Sequence, residues 1–100
     1  MNLPLDFHPL VQKDFNEIIR YYDQEAGAEI ADRFEAEFRA AVEAIQAQPT
    51  QFPFYLKQRR FRRFRLLTFP HLILFQVKST MIRIMVLKHV KRAHGLGLRR

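Results

Sequence analysis

The chain contains no cysteine among its 100 residues. This absence excludes a disulfide scaffold, a zinc site built from cysteines and a thiol nucleophile. No apolar run is long enough to cross a bilayer and the N-terminus lacks a secretory pattern, so we expect a cytoplasmic protein with no membrane partner. The sequence also lacks a glycine-rich phosphate loop, a Ser/His/Asp arrangement and a metal-binding spacing. We therefore expect no metal, no cofactor and no small-molecule substrate.

Acidic residues are missing from the whole second half of the chain. Residues 1–50 carry ten Asp/Glu and four Lys/Arg, a balance of −6. Residues 51–100 carry thirteen Lys/Arg and no acid, a balance of +13. This split coincides with a change in the hydrophobic period, from helical in the first half to alternating in the second. We therefore expect the positive charge to lie on one sheet, facing a negatively charged partner or reaction site.

The first half predicts a short strand followed by a helical hairpin. Residues 3–7 alternate between apolar and other residues, which indicates a strand. Pro9 suits the first turn of a helix and Gly27 suits its end, while Asp14 lies early in that helix, where the macrodipole favours acids. The second helix has a single apolar stripe, formed by Ala31, Phe34, Phe38, Ala41, Val42 and Ile45. Two such helices cannot bury both their stripes alone, so a sheet must lie beneath them.

The second half predicts three strands. Residues 61–68 alternate, with Arg62, Phe64 and Leu66 on one face and Phe61, Arg63, Arg65 and Leu67 on the other. Residues 71–78 form an almost continuous apolar strand, and residues 78–80 are short enough for a tight hairpin turn. Residues 81–88 alternate again, with Ile82, Ile84 and Val86 on one face and Met81, Arg83, Met85 and Leu87 on the other.

The predicted order is therefore β-α-α-β-β-β, an α+β domain. An N-terminal strand and a helical hairpin precede a three-stranded antiparallel meander, and the helices cover one face of a small, mostly antiparallel sheet. We assign residues 1–94 to this single domain and expect residues 95–100 to form a mobile basic tail.

Three segments of the sequence, in this order, resemble the RelE/ParE superfamily of toxins from bacterial toxin–antitoxin systems. They are DFNEIIRYYDQEAG at 14–27, FRRFRLLTFPHLILF at 61–75 and IRIMVLKHVKR at 82–92. The resemblance implies a small toxin whose sheet packs on a helical hairpin. It also implies a cognate antitoxin, which wraps the toxin with an acidic, partly apolar segment. The RelE-type branch cuts mRNA within the ribosome, whereas the ParE-type branch, known from plasmid stabilisation, poisons DNA gyrase.

RNA cleavage without a metal needs an acid–base pair and cations around the phosphate. The candidates for these catalytic roles are Arg65, Arg83, His89 and His94. Arg63 and Arg65 fall where the RNA-cutting branch often has lysines, and an arginine is a poor general base. Other positions also depart from that branch, namely Leu72, Val90 and Leu96. We therefore favour the ParE-type branch, in which the predicted target contacts are Arg63, Arg65, Arg83, Lys91 and Arg92.

Other functions stay open at this point. The enzymatic alternative is a ribosome-dependent mRNA endonuclease. A second alternative is a basic nucleic-acid-binding module without toxicity, and a third is a degenerate toxin kept only to bind its antitoxin. For the arginines of residues 61–68, a solvated strand face is about as common an outcome as a binding surface.

Overall fold

A computed structural model describes residues 2–56, 59–92, 97, 99 and 100. The helices are α1 (Pro9–Ala26) and α2 (Ala28–Ala47), followed by a 3-10 turn at Pro49–Gln51. The strands are β1 (Leu5–Phe7), β2 (Phe54–Tyr55), β3 (Phe61–Arg65), β4 (His71–Val77) and β5 (Ile82–His89). The predicted α+β class, the helical hairpin and the meander of β3, β4 and β5 are confirmed. Among these described residues, no helix is long and apolar enough to cross a membrane.

The sheet has five strands in the order β1-β5-β4-β3-β2. Strand β1 runs parallel to β5, whereas the other neighbours are antiparallel. The sheet is therefore mixed. The last strand, β5, lies beside the first strand, β1, and runs in the same direction. Strand β2 was not predicted: its two residues pair with the start of β3 inside a segment that reads as a loop. With Pro4 before it, β1 occupies an edge, as proline requires.

One glycine separates the two helices. Gly27 has a φ of +94°, and it is both the C-cap of α1 and the N-cap of α2. Its N–H donates to Asp23 O and its carbonyl accepts from Ala31 N, each at 3.2 Å. A side chain at this φ would be strained, whereas glycine is not. The reversal between the helices therefore needs no loop.

The helical hairpin packs its apolar stripes on one face of the sheet. All six residues predicted for the stripe of α2 are buried. Five of them, all except Ala31, form the main core with strand residues from the same face, among them Ile73, Phe75, Ile82 and Ile84. The opposite face, called here the open face, has a second buried cluster without helix residues: Tyr55, Phe61, Leu72, Leu74, Met85 and Val86.

A β-bulge changes the predicted faces of β5. Leu74 pairs with Val86 but Phe75 pairs with Ile84, so Met85 is an extra residue opposite their junction. Because side chains alternate with a period of two, one extra residue inverts every side chain that follows it. Val86 therefore lies on the open face and Leu87 on the helix face. The prediction for these two residues is wrong, since periodicity alone does not show a bulge.

Two residues of the predicted mobile tail contact the folded domain. A Cβ at Gly97, which has a φ of +81°, would lie 2.5 Å from Val86 Cγ2 on the open face. Arg100 forms an ion pair with Asp14 of α1 at 2.6 Å. The chain therefore returns to the sheet after β5.

Candidate interaction surface

The predicted contact arginines lie on the open face but on strands that are not neighbours. Arg63 and Arg65 belong to β3, and Arg83 belongs to β5, with β4 between them. The register places Leu74 beside Arg63 and Leu72 beside Arg65. Across β4, Arg83 lies opposite Gln76 whereas Arg65 lies opposite Leu72, so four residues along the sheet, about 13 Å, separate them in addition to the two strand spacings. Arg83 therefore shares the open face with the other two arginines but lies apart from them.

Arg83 lies at the opposite end of the sheet and is neutralised by an acid from the first half of the chain. The parallel register places Asp6 of β1 beside it. Arg83 Nε is 3.0 Å from Asp6 Oδ2, close enough for an ion pair but not aligned for a hydrogen bond. The Arg83 side chain is 31% exposed. Its charge is thus partly satisfied within the domain, unlike that of a free contact residue.

Arg65 is bound to the turn that follows it. Its Nη1 donates to Phe69 O at 2.7 Å and lies 3.4 Å from Leu66 O. Arg65 therefore stabilises the connection from β3 to β4 while its side chain remains exposed. Arg63 is exposed as well, and within the described residues its side chain has no hydrogen bond or ion pair.

His89 organises the turn after β5. Its Nδ1 accepts from Lys91 N at 3.0 Å, and its carbonyl accepts from Arg92 N at 3.0 Å. Since Nδ1 is an acceptor, the proton of the neutral ring lies on Nε2. Lys91 and Arg92 are both exposed. His94, the remaining catalytic candidate, and Leu96 lie outside the described residues.

Four exposed cations lie towards one end of the sheet: Arg65, Lys91 and Arg92 at the end itself, and Arg63 opposite Leu74 in the middle of β4. Val90 N donates to Pro70 O at 2.9 Å, which places the residues after β5 beside the β3–β4 turn. The name "cationic end" is used below for this group, which consists of Arg63, Arg65, Lys91 and Arg92. Acids on α2 do not neutralise it in the described part of the chain: Glu29 and Glu35 pair with arginines of α2 itself, and Glu37 binds a backbone amide.

Two histidines face each other at this end, and only one of them was predicted to be functional. The register pairs His71 with His89, and their ring centroids are 5.3 Å apart. His71 is buried, and its Nδ1 has no hydrogen-bond partner within the described residues. Burial, with further contributions from His89 and Arg65, lowers the pKa of His71 to about 4. The register of β4 on β5 brings the two rings together, and the spacing of the histidines in the sequence does not predict that register.

The histidine pair borders a cleft of about 320 Å³ between α1 and the end of β5. Its lining includes Lys13, Glu17 and Arg92. Lys88, which the sequence did not single out, also lines this cleft and is buried. The Lys88 ammonium donates to Tyr55 Oη at 3.2 Å and to Arg92 O at 3.1 Å. Lys88 thus satisfies its donors within the fold.

This arrangement defines a small α+β protein with exposed cations towards one end of its sheet. Among solved structures, a chain titled chromosomal ParDE toxin–antitoxin system from P. aeruginosa has the same fold. The TM-score is 0.78 at 20% sequence identity, and the match covers 87% of this chain and 95% of that chain. No curated protein sequence matches this one significantly.

The sequence identifies the family directly. A profile of the ParE toxin of the type II toxin–antitoxin system parDE matches residues 5–94. The chain therefore belongs to the ParE toxin family, and the predicted resemblance is confirmed. It is the toxin component of a type II toxin–antitoxin system, in which a cognate antitoxin is the partner.

Proposed function

We propose that this toxin acts in the cytoplasm on DNA gyrase and that the cationic end of its sheet contacts the target. The observation that carries the proposal is the exposed side chain of Arg63, which has no hydrogen bond or ion pair with the residues that the structure describes. Clustered cations steer a protein towards an acidic surface and orient it there. The family membership supports gyrase as the surface in question.

The positions of the predicted catalytic residues also support a contact function. Arg83 and His89 are six residues apart on β5, or about 20 Å, so they cannot act on one phosphate. Arg65 holds a turn, and the Nδ1 of His89 is engaged with the backbone. We therefore assign Arg63, Arg65, Lys91 and Arg92 as contacts, and we leave Arg83 out of this surface because Asp6 pairs with it.

A supercoiling assay with purified gyrase tests the proposal. The free toxin should inhibit supercoiling and produce gyrase-dependent DNA breaks. Neither effect at an excess of toxin would refute the proposed target. Arg63→Ala should weaken inhibition about tenfold, the size expected for a charged contact at an interface. Arg33→Ala is a matched control, since that exposed arginine lies on α2 and pairs only weakly with Glu29 at 3.8 Å.

A ribosome-dependent mRNA endonuclease is the second candidate, and the facing histidines favour it. A neutral His71 and a His89 with a free Nε2 could act as base and acid, with Arg92 beside the same cleft. This function predicts cleavage of mRNA on translating ribosomes, which is lost in His89→Ala and in Arg65→Ala. Intact transcripts in a translation extract that contains the free toxin would exclude it.

We expect the antitoxin to bind the basic half of the toxin through an acidic segment. The residues from 51 onwards carry thirteen cations and no acid, so an acidic segment would gain attraction from those that stay exposed, Arg63, Arg65, Lys91 and Arg92 among them. We expect the affinity of the pair to fall as salt concentration rises, because salt screens exposed charges. Titration of the toxin with its antitoxin between 50 mM and 500 mM salt would measure this, and a constant affinity would count against an acidic docking segment.

A further inference from the structure

The connection between β3 and β4 presents an apolar side chain directly to solvent. This connection, residues 66–70, is called the Leu67 turn below. Leu67 is 94% exposed, whereas Tyr21, the next most exposed large apolar side chain of the described residues, is 60% exposed. Single exposed leucines are common on soluble proteins. Exposure alone therefore identifies no site, and the surroundings of Leu67 decide its significance.

The Leu67 turn is held in place from both sides. The Glu37 carboxylate of α2 accepts from Thr68 N at 2.9 Å, and Arg65 Nη1 donates to Phe69 O at 2.7 Å. Phe69 is itself buried. The turn therefore cannot fold back to cover Leu67. Its conformational entropy is already lost in the free protein, so binding through Leu67 costs little further ordering.

Positive charge lies on both sides of this leucine. Arg65 precedes the turn, and Pro70 at its end accepts the hydrogen bond that brings Lys91 and Arg92 alongside. The nearest acid, Glu37, is engaged with the backbone of the turn. A complementary partner must therefore combine an apolar pocket with negative charge at its rim.

We propose that Leu67 is the apolar anchor with which this toxin enters a pocket on a folded protein target, while the cationic end faces carboxylates around that pocket. A nucleic acid would supply the negative charge, but it could take up a leucine only by unstacking a base step, which costs free energy. The inference rests on the proposed function, in which that protein target is gyrase.

The shape of the turn fits the target better than the antitoxin. A protruding side chain on the toxin needs a preformed pocket on the surface of a folded partner. An antitoxin segment that wraps the toxin needs a concave groove on the toxin itself. This toxin has a concave apolar groove elsewhere, between α1 and α2, with a volume of about 590 Å³. Phe15 and Phe38 line that groove, far along the chain from the Leu67 turn.

The test compares Leu67→Ser with Leu56→Ser in the full-length toxin. Leu56 is also an exposed turn leucine, at 40% exposure, but it lies at the other end of β3. Leu67→Ser should weaken binding to purified gyrase about tenfold, as expected for an interface anchor. The Tm should not change, because the Leu67 side chain is 94% exposed and its replacement removes almost no buried area. Leu56→Ser should bind like the wild type, and both variants should bind a labelled DNA duplex as the wild type does.

Each outcome distinguishes this inference from the proposed function. If the wild type inhibits gyrase and Leu67→Ser inhibits it equally, the anchor is refuted and the target stands. If the wild type does not act on gyrase, growth arrest on expression becomes the readout: arrest lost in Leu67→Ser at unchanged abundance supports the anchor on another protein. Arrest that persists in Leu67→Ser, arrest caused by mRNA cleavage, or no arrest by the wild type would overturn the inference.

Discussion

The Arg100 guanidinium binds the Asp14 carboxylate through two nitrogens, at 2.6 and 3.0 Å. Both side chains are largely buried, at 14% and 15% exposure. Asp14 Oδ2 also accepts from Leu87 N at 3.2 Å, and Arg100 Nη1 donates to Met85 O at 3.0 Å. This ion pair therefore connects Arg100 and α1 to β5. It contacts the part of the β5 edge, at Met85 and Leu87, that the short strand β1 does not cover.

Loss of either partner of this ion pair should destabilise the fold. Asp14→Asn and Arg100→Gln should each lower the free energy of unfolding by about 3 kcal/mol, because each leaves a buried charge without its partner. Urea denaturation at pH 7 measures this. The exchange variant Asp14→Arg/Arg100→Asp should recover part of the loss. Arg99→Gln is the matched control, since its side chain is exposed. Equal effects of Arg99→Gln and Arg100→Gln would contradict a specific contact.

The two glycines with positive φ should respond differently to alanine. Gly27→Ala suffers only backbone strain, about 1 to 3 kcal/mol, because its φ of 94° and ψ of 165° are essentially restricted to glycine while its Cβ would meet nothing within 4 Å. Gly97→Ala adds overlap with Val86 to the strain of its positive φ, which costs about 1 to 3 kcal/mol more. Thermal unfolding of both variants tests the order. Val86→Ala should relieve part of the cost of Gly97→Ala, and simple addition of the two losses would show that the tail does not pack there.

Stability should decrease in mild acid because of His71. Its pKa is lowered to about 4 from 6.5, chiefly by burial, so the unfolded chain takes up a proton at a higher pH than the folded one. The stabilisation is complete above pH 6.5 and is lost as pH falls towards 4, by about 3 kcal/mol over the whole range. Unfolding free energies of wild type and His71→Gln between pH 7 and 4.5 check this. A parallel decline in both proteins would show that other groups cause it.

Glu37 should stabilise the Leu67 turn only while it is charged. Burial alone would raise the pKa of Glu37, but hydrogen bonds from the backbone of Thr68, Phe69 and Leu67 outweigh it and lower that pKa. Its contribution is therefore present above about pH 4.5 and is lost as the pH falls through the lowered value. Glu37→Gln should cost about 1 to 2 kcal/mol at neutral pH.

The difference between wild type and Glu37→Gln should shrink in acid, as measured by urea denaturation at pH 7 and pH 3.5. Glu35→Gln is the matched control on the same helix, because its ion pair with Arg39 is exposed. Such a pair contributes less than about 1 kcal/mol. A Glu37→Gln deficit that persisted unchanged at pH 3.5 would exclude the carboxylate charge as its cause.

The faces of β3 and β5 show how far a pattern of residues can be trusted. In β3 the predicted faces are correct: Phe61 lies on the open face with Arg63 and Arg65, while Phe64 and Leu66 lie on the helix face, because the strand is regular. In β5 the same kind of pattern fails after Met85, where the bulge adds one residue. Nothing in the side-chain pattern marks that residue, since apolar side chains lie on both sides of the sheet there.

The sequence by itself determined the two helices, the buried stripe of α2, the chain reversal at Gly27 and the acidic-to-basic split. These features follow from local periodicity, cap chemistry and composition. Only the tertiary structure decided which charges remain free. Asp14, predicted to serve the macrodipole of α1, lies beyond its first turn and binds Arg100 instead, and Asp6 reaches Arg83 because β1 joins the sheet beside β5. Such pairings depend on strand register and long-range packing, which local patterns do not encode.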